Sequence, residues 1–388
     1  MIHWCIFRKM GLYKMKKIGV ITFHSAENSG AALQCIALQK AIEKIGGDPY
    51  VIDYQPDFIK KQYRIIINPF FEAKKKDVNR KQYLKSVLAY TLQNIHFNRK
   101  LSRKKKFKQF RDMNMRLSDR YSTLDELRQN PPNADIYIAG SDQIWNSSLT
   151  GGELDPAFFL TFGDSEVQRF TYAISVGKKL TKEEMKRIYE AAYLIDVISF
   201  REKINFNQFN GEYRTKIIRQ SVDPTLLINK EDWCNLVRKN INKEPYILVY
   251  ALEKNDAFKN IIKKIREETG YSVIDISQCN LHLKKIQERK MDFAPDEFLT
   301  YIYNSSLVIT NSFHCTVFSI IFHKDFITVP HKKSNERLSD LLNNLKLEDH
   351  FYNKETSFML KTVNWELVDN NIDSYRLDSI EYLKSIIK

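Results

Sequence analysis

The chain has 388 residues, 43% of them hydrophobic, with 61 Lys and Arg against 47 Asp and Glu, a net charge of +14. That length accommodates two domains, and that apolar content excludes wholesale disorder. The positive balance favours an anionic partner: nucleic acid, an acidic lipid surface or a phosphorylated metabolite.

Five scattered cysteines, Cys5, Cys35, Cys234, Cys279 and Cys315, include no Cys-x-x-Cys pair. Neither a disulfide framework nor a zinc site is indicated, and a reduced, cytoplasmic setting is expected. No run approaches the ~18 apolar residues of a membrane span.

Along the chain, Met1 to Lys14 holds a short apolar patch followed by Arg8 and Lys9. A signal peptide has its charge first and a longer apolar stretch, so residues 1–14 are expected to be an extension. Ile18 to Phe23 is an apolar strand. The turn His24-Ser25-Ala26-Glu27-Asn28-Ser29-Gly30 follows, then a helix from Ala31 to Ile45 that stops at Gly46-Gly47. Tyr50 to Tyr54 is the next strand. This β-loop-α-β unit implies a parallel sheet. Its loop lacks Gly-x-Gly-x-x-Gly and the P-loop lysine, so it does not indicate a nucleotide by itself.

A long basic helical segment spans about Arg80 to Met115 and includes the dense run Arg99 to Arg111; Lys74-Lys75-Lys76 precedes it. Tyr83, Leu84, Val87, Leu88, Leu92, Ile95 and Phe97 recur at helical spacing. Such a helix can lie on a membrane surface or nucleic acid. A helix with one face packed on the domain and the other solvated is favoured, because charge runs usually face water.

Ala134 to Ala139 is a buried strand running into Gly140-Ser141-Asp142-Gln143-Ile144-Trp145-Asn146. Strands follow at Phe170 to Ile174 and Val197 to Phe200, with a helix from Thr181 to about Ala192 between them. Arg201-Glu202 comes directly after the last of these strands, where open α/β sheets bind ligands. Ser221-Val222-Asp223-Pro224-Thr225-Leu226-Leu227 is the next marker. After the polar stretch Asn229 to Glu244, the alternation restarts. Strands are predicted at Tyr246–Tyr250, Ser272–Ile276, Leu307–Ile309 and Phe326–Val329. Helices are predicted at Ala257–Thr269, Pro295–Tyr303, Thr316–Phe322 and Arg337–Leu345. Between the strand at Leu307 and the helix at Thr316 lies Thr310-Asn311-Ser312-Phe313-His314. A histidine at a strand's carboxyl end and near a helix start suits proton transfer beside a bound phosphate or carboxylate. A helix-capping turn with an incidental histidine fits the same residues.

The expected fold class is α/β: two doubly wound, Rossmann-like domains facing a central cleft. The expected division is an extension (1–14), an N-terminal α/β domain with a long basic helical insertion (15–228), and a C-terminal α/β domain (229–388).

Five segments in order resemble the polysaccharide pyruvyl transferase family: Thr22-Phe23-His24 with Asn28-Ser29-Gly30-Ala31; Gly140 to Asn146; Ser199-Phe200-Arg201-Glu202; Asp223 to Leu227; and Thr310 to His314 with Thr316. The resemblance runs from about Lys17 to Phe351. It implies a build similar to the GT-B glycosyltransferases and transfer of the pyruvyl group of phosphoenolpyruvate onto a sugar, as a pyruvate ketal. The acceptor would be a cell-surface glycan or its lipid-linked precursor. The chain departs from the family at Ser29, often aromatic, and at Cys315, often glycine.

Phosphoenolpyruvate carries about three negative charges, which call for guanidinium or ammonium groups and free N–H donors. On this reading His314 is the acid/base residue, and Arg201 clamps the donor. Asp142 or Glu202 deprotonates or binds a sugar hydroxyl. Lys332 or Lys333 and Arg337 add charge. His24, Asn28, Gly30, Ser141, Gln143, Asn311 and Ser312 line the substrate. No cofactor and no metal are expected, and no nucleic acid. The basic helix would give peripheral contact with the inner membrane face. A nucleotide-sugar glycosyltransferase of similar build is the alternative; a non-catalytic binder of anionic lipid or nucleic acid is a second.

Overall fold

The computed structural model describes residues 15–63, 83, 87, 97–213, 215–238, 244–279, 281–283, 286–332, 335–352 and 362–388. Met1 to Lys14, Lys74 to Lys76, Lys333 and most of the apolar positions between 83 and 97 lie outside the described residues.

Two parallel sheets organise the chain. The first has seven strands: β1 (Lys17–Ile21), β2 (Asp48–Tyr54), β3 (Leu117–Tyr121), β4 (Ile136–Ala139), β5 (Gln168–Thr171), β6 (Val197–Phe200) and β7 (Ile217–Gln220), in the spatial order β3-β2-β1-β4-β5-β6-β7. The second has five: β8 (Tyr246–Tyr250), β9 (Ser272–Asp275), β10 (Glu288–Arg289), β11 (Leu307–Thr310) and β12 (Asp325–Thr328), ordered β10-β9-β8-β11-β12. The α/β class with two doubly wound sheets is the one expected. The strand order reverses between β1 and β4 and again between β8 and β11, and such switch points open the crevice where α/β sheets bind ligands.

Each switch point is stitched by a polar side chain. Thr22 Oγ1, just past β1, donates to the Ser141 carbonyl past β4 at 2.7 Å. The Leu252 N–H, past β8, donates to Asn311 Oδ1 past β11 at 2.8 Å. Serine, threonine and asparagine recur at these ends because the backbone groups there have left the sheet and need partners.

Helix α1 (Ser29–Lys44) joins the two halves. Its residues from Ser29 to Leu38 are all buried, because it packs on the first sheet and on a helix of the second half, Pro295–Asn304. One apolar cluster accordingly runs from Ile18, Val20 and Ile138 through Leu33 and Ile36 to Leu248, Val308 and Phe318. The basic segment forms α2 (Phe97–Asn114), which is not simply a solvated face. Arg103 is buried and donates from Nη1 to the Met291 carbonyl (3.0 Å) and from Nη2 to the Glu27 carbonyl (2.8 Å), one in each half. Ser102–Asp292 and Lys106–Glu297 contacts extend the clasp, while Lys104, Lys105 and Lys108 stay exposed.

A long helix not anticipated from the sequence, Trp365–Ile387, returns to the first sheet. Tyr382 donates to the Thr171 carbonyl at 2.8 Å and Arg376 Nε to the Leu226 carbonyl at 2.6 Å. No helix among the described residues is long and apolar enough to cross a membrane.

Candidate active site

Three segments far apart in sequence meet where the two halves face each other. The first is the end of β6. Arg201 and Glu202 follow it directly, both nearly fully buried. The second is the turn after β7, where Asp223 caps Pro224–Leu226: its Oδ1 accepts the Thr225 N–H (3.0 Å) and hydroxyl (2.6 Å). That Asx turn aims the other carboxylate oxygen away from its own backbone. The third is α3 (Phe313–Ile321), the helix after β11. It begins three residues earlier than its apolar run suggests, because the Ser312 side chain accepts the Cys315 N–H and sets the cap there. His314 therefore sits in the first helical turn.

Asp223 Oδ2 receives Arg201 Nη1 at 2.6 Å, and His314 Nε2 stands 3.5 Å from the same oxygen, an ion-pair separation without a hydrogen bond. Arg201 Nε reaches Glu202 Oε1 at 3.4 Å, and Ser175 donates to that oxygen at 2.6 Å. The Arg201 guanidinium lies 4.7 Å from the Phe313 ring centre. Arg337, in the first turn of α4 (Glu336–Asn344), lies 5.9 Å from the same ring. It makes no hydrogen bond or ion pair with the described residues.

The charges of this cluster are coupled. Burial pushes the Arg201 guanidinium down; the facing Glu202, Asp223 and Asp142 carboxylates outweigh it and hold it above the ordinary arginine value. Burial pushes Asp223 up, and His314, Arg201 and Thr225 together hold its carboxyl well below the usual range. Arg337 is lowered, by burial first and then by Arg201, against the same carboxylates. An anion arriving between the two guanidiniums relieves that mutual repulsion.

Several buried polar atoms here have no hydrogen-bond partner: Arg201 Nη2, Glu202 Oε2, His314 Nε2, Ser141 Oγ and Asn311 Nδ2. Each such group costs about 1–3 kcal/mol when left unmade, which is the mark of a site built for a ligand. Arg201, Glu202, Asp223, Phe313 and Arg337 line one cleft of about 370 Å³, within the usual size of small-molecule sites.

The other candidates fall outside that cluster or serve its frame. His24 is buried in the first half, with Nε2 2.8 Å from Asp53 Oδ1 and Nδ1 3.2 Å from the Thr22 carbonyl. Asn28 caps α1, accepting the Gly30 and Ala31 N–H groups. Gly30 lies against the histidine: a Cβ there would stand 2.0 Å from His314 Nδ1. Asp142 has φ of 80° and accepts its neighbour's N–H, from Gln143, at 2.8 Å. Gln143 accepts from Asn146 at 2.8 Å. Trp145 is packing: it stacks on Phe159 at 4.6 Å and donates to the Phe158 carbonyl. Lys332 is exposed, with its backbone N–H on Glu253, and does not line the cleft. Burial pushes the Cys315 thiol up to about 12. Sequence reasoning missed the roles of Asp223 and Phe313. The signal available for Asp223 was its Asp-Pro-Thr turn, which leaves one carboxylate oxygen free. Among the described residues, no group of three His, Cys, Asp or Glu side chains is arranged to hold a metal ion.

The family model for polysaccharide pyruvyl transferase matches residues 28–333. No curated protein matches the chain. Among solved structures, it is similar to the UDP-N-acetylglucosamine 2-epimerase from Rickettsia bellii (11% identity, TM-score 0.46, covering 95% of this chain and 98% of that one). It is also similar to the UDP-GlcNAc 2-epimerase of Methanocaldococcus jannaschii in complex with UDP-GlcNAc and UDP (13%, 0.46, 92% and 98%). An alpha-glucosyltransferase in complex with UDP gives 9% identity, a TM-score of 0.45 and 95% of each chain.

Proposed function

Because this chain belongs to the polysaccharide pyruvyl transferase family, we propose that it moves the pyruvyl group of phosphoenolpyruvate onto a sugar of a cell-surface polysaccharide or its precursor, forming a pyruvate ketal. The observation that carries this reading is the pair of guanidiniums over Phe313: Arg201, with Nη2 unpartnered and Nη1 on the Asp223 oxygen that His314 also faces, and Arg337, with no ion pair among the described residues. Two planar cations a short distance apart match a small molecule bearing a carboxylate and a phosphate.

In this mechanism Arg201 and Arg337 hold the two anionic groups. His314, protonated, delivers its proton to the methylene carbon of the donor. The carbon bearing the phosphate becomes cationic, and a sugar hydroxyl attacks it, forming the first C–O bond. The hydroxyl proton passes to a carboxylate, Glu202 through its free Oε2 or Asp142. The C–O bond to phosphate then breaks as the carboxylate's proton passes to the departing phosphate, and a second hydroxyl closes the ketal and returns its proton to His314. Phosphate, the ketal and a regenerated histidine balance the step. Asp223 stands 3.5 Å from the histidine and keeps Arg201 in place.

The direct test is phosphate release from phosphoenolpyruvate in the presence of candidate glycans, with the ketal methyl group detected by proton NMR. Release of a nucleoside diphosphate from a nucleotide sugar, with no phosphate released from phosphoenolpyruvate, would defeat the reading. We place the reaction in the cytoplasm at the inner membrane face, with Arg99, Lys104 and Lys105 on the exposed side of α2 contacting anionic lipid. Co-sedimentation with phosphatidylglycerol vesicles that is unchanged in Lys104→Glu/Lys105→Glu would argue against that contact.

A further inference from the structure

The cleft has two chemically different ends. Beyond Arg201 and Arg337 its floor is apolar, made by Leu226, Leu341, Leu345 and Ile372. Its far wall is the helix Trp365–Ile387, where Ile372, Tyr375 and Ser379 share a face at i, i+3 and i+7. Tyr375 is 44% exposed and makes no hydrogen bond with the described residues. Asp340, Asn344 and Asp378 line the same cleft. Among the described residues Asp340 accepts only the Lys203 N–H and Asn344 has no partner, while Asp378 stands 3.7 Å from Arg219 Nη2. Glu202 Oε2, fully buried and without a partner, belongs to the same cleft.

We infer that this end is the acceptor subsite, with one sugar ring stacked on Tyr375 and its hydroxyls held by Asp340, Asn344 and Asp378. A sugar ring has an apolar C–H face and a polar rim, which is the pattern of floor and wall here. The two carboxylates repel an anionic ring, so the subsite takes a neutral or amino sugar and rejects a uronic acid. Arg337 and Asp340 lie one helical turn apart on α4, which sets the acceptor beside the donor anion. The inference rests on the proposed pyruvyl transfer for the role of that sugar, but not for its binding.

The test is saturation-transfer NMR on the full chain, with and without phosphoenolpyruvate. The probes are the methyl β-glycosides of glucose, galactose and mannose, against methyl β-glucuronide. At least one neutral glycoside should take up saturation, the glucuronide should not, and Tyr375→Ala should weaken the signal by about tenfold. In the same variant phosphoenolpyruvate affinity should change by less than about twofold. Asp378→Asn, at an exposed position, should admit the glucuronide. Failure of every neutral glycoside, equal binding of the glucuronide to the wild type, or a signal that survives Tyr375→Ala would overturn the assignment. Tyr375-dependent sugar binding without any phosphoenolpyruvate binding would uphold the subsite and defeat the donor reading instead.

Discussion

Nε2 of His314 stands 3.5 Å from Oδ2 of Asp223, the same oxygen that Arg201 Nη1 holds at 2.6 Å. The ring is held close to a carboxylate without being consumed by a hydrogen bond. A proton donor in that position has an N–H free to turn to a substrate. The carboxylate is committed to Arg201 and its own turn, so the histidine is the group left to move a proton.

Replacing His314 by glutamine is expected to lower turnover by about 10²–10⁴-fold, the ordinary contribution of a positioned acid/base. The melting temperature should fall as well, since the buried Asp223 loses one of the groups that hold its carboxyl low. Steady-state kinetics and a thermal melt check this together; near-normal turnover removes His314 from the mechanism.

Arg201 and Arg337 should separate in their effects. Arg201→Ala leaves Asp223 and Glu202 buried without their cation, which costs about 3–5 kcal/mol, so loss of fold and loss of binding arrive together. Arg201→Lys keeps the charge but loses the fork, and donor affinity should fall. Arg337→Ala breaks no ion pair among the described residues and should lower donor affinity by about tenfold or more at nearly unchanged melting temperature. Chemical denaturation alongside binding resolves the two.

Gly30→Ala places a methyl group 2.0 Å from His314 Nδ1. Either the ring turns away from Asp223 or the N-terminus of α1 moves. Turnover should therefore fall at least about tenfold, although Gly30 carries no functional group. Unchanged kinetics would show that this contact between the halves opens freely during the cycle.

The Asp53–His24 pair predicts an acid limb of stability. Burial pushes Asp53 up, but His24, Gln55 and Arg120 outweigh it, and its carboxyl is lowered to about 2. A carboxyl whose folded pKa lies below its unfolded value stabilises fully above the unfolded value, and that stability is lost as pH falls through the folded one. Asp53→Asn should thus cost on the order of 2 kcal/mol at pH 7. The gap to wild type should close between about pH 4 and pH 2. Urea midpoints measured across that range check the sign.

Much of this arrangement is legible in the sequence because strand ends are written locally. Short apolar runs followed by polar turns mark β1, β4, β6 and β11, and the site residues sit directly after them. The edge strands β7 and β10 and the amphipathic last helix are harder: Ile217–Gln220 has only two apolar residues, one of them exposed. Lys332 follows a strand end just as Arg201 does, yet only Arg201 is turned inward, because Asp223 and Phe313 supply a carboxylate and a ring to receive it. Those partners are 22 and 112 residues away in the chain, beyond the reach of any pattern around Arg201 itself. The cap at Ser312 likewise moves the helix start, which a reading of apolar periodicity alone places at Thr316.

Everything proposed for the reaction depends on Arg201 and Arg337 binding the carboxylate and phosphate of phosphoenolpyruvate. Isothermal titration with phosphoenolpyruvate and, separately, with UDP-sugars, on wild type and Arg337→Ala, tests it most directly. The expected result is saturable phosphoenolpyruvate binding that weakens by about tenfold or more in the variant, and no comparable binding of a UDP-sugar. Binding of a UDP-sugar with none of phosphoenolpyruvate, or phosphoenolpyruvate binding indifferent to Arg337, would contradict it.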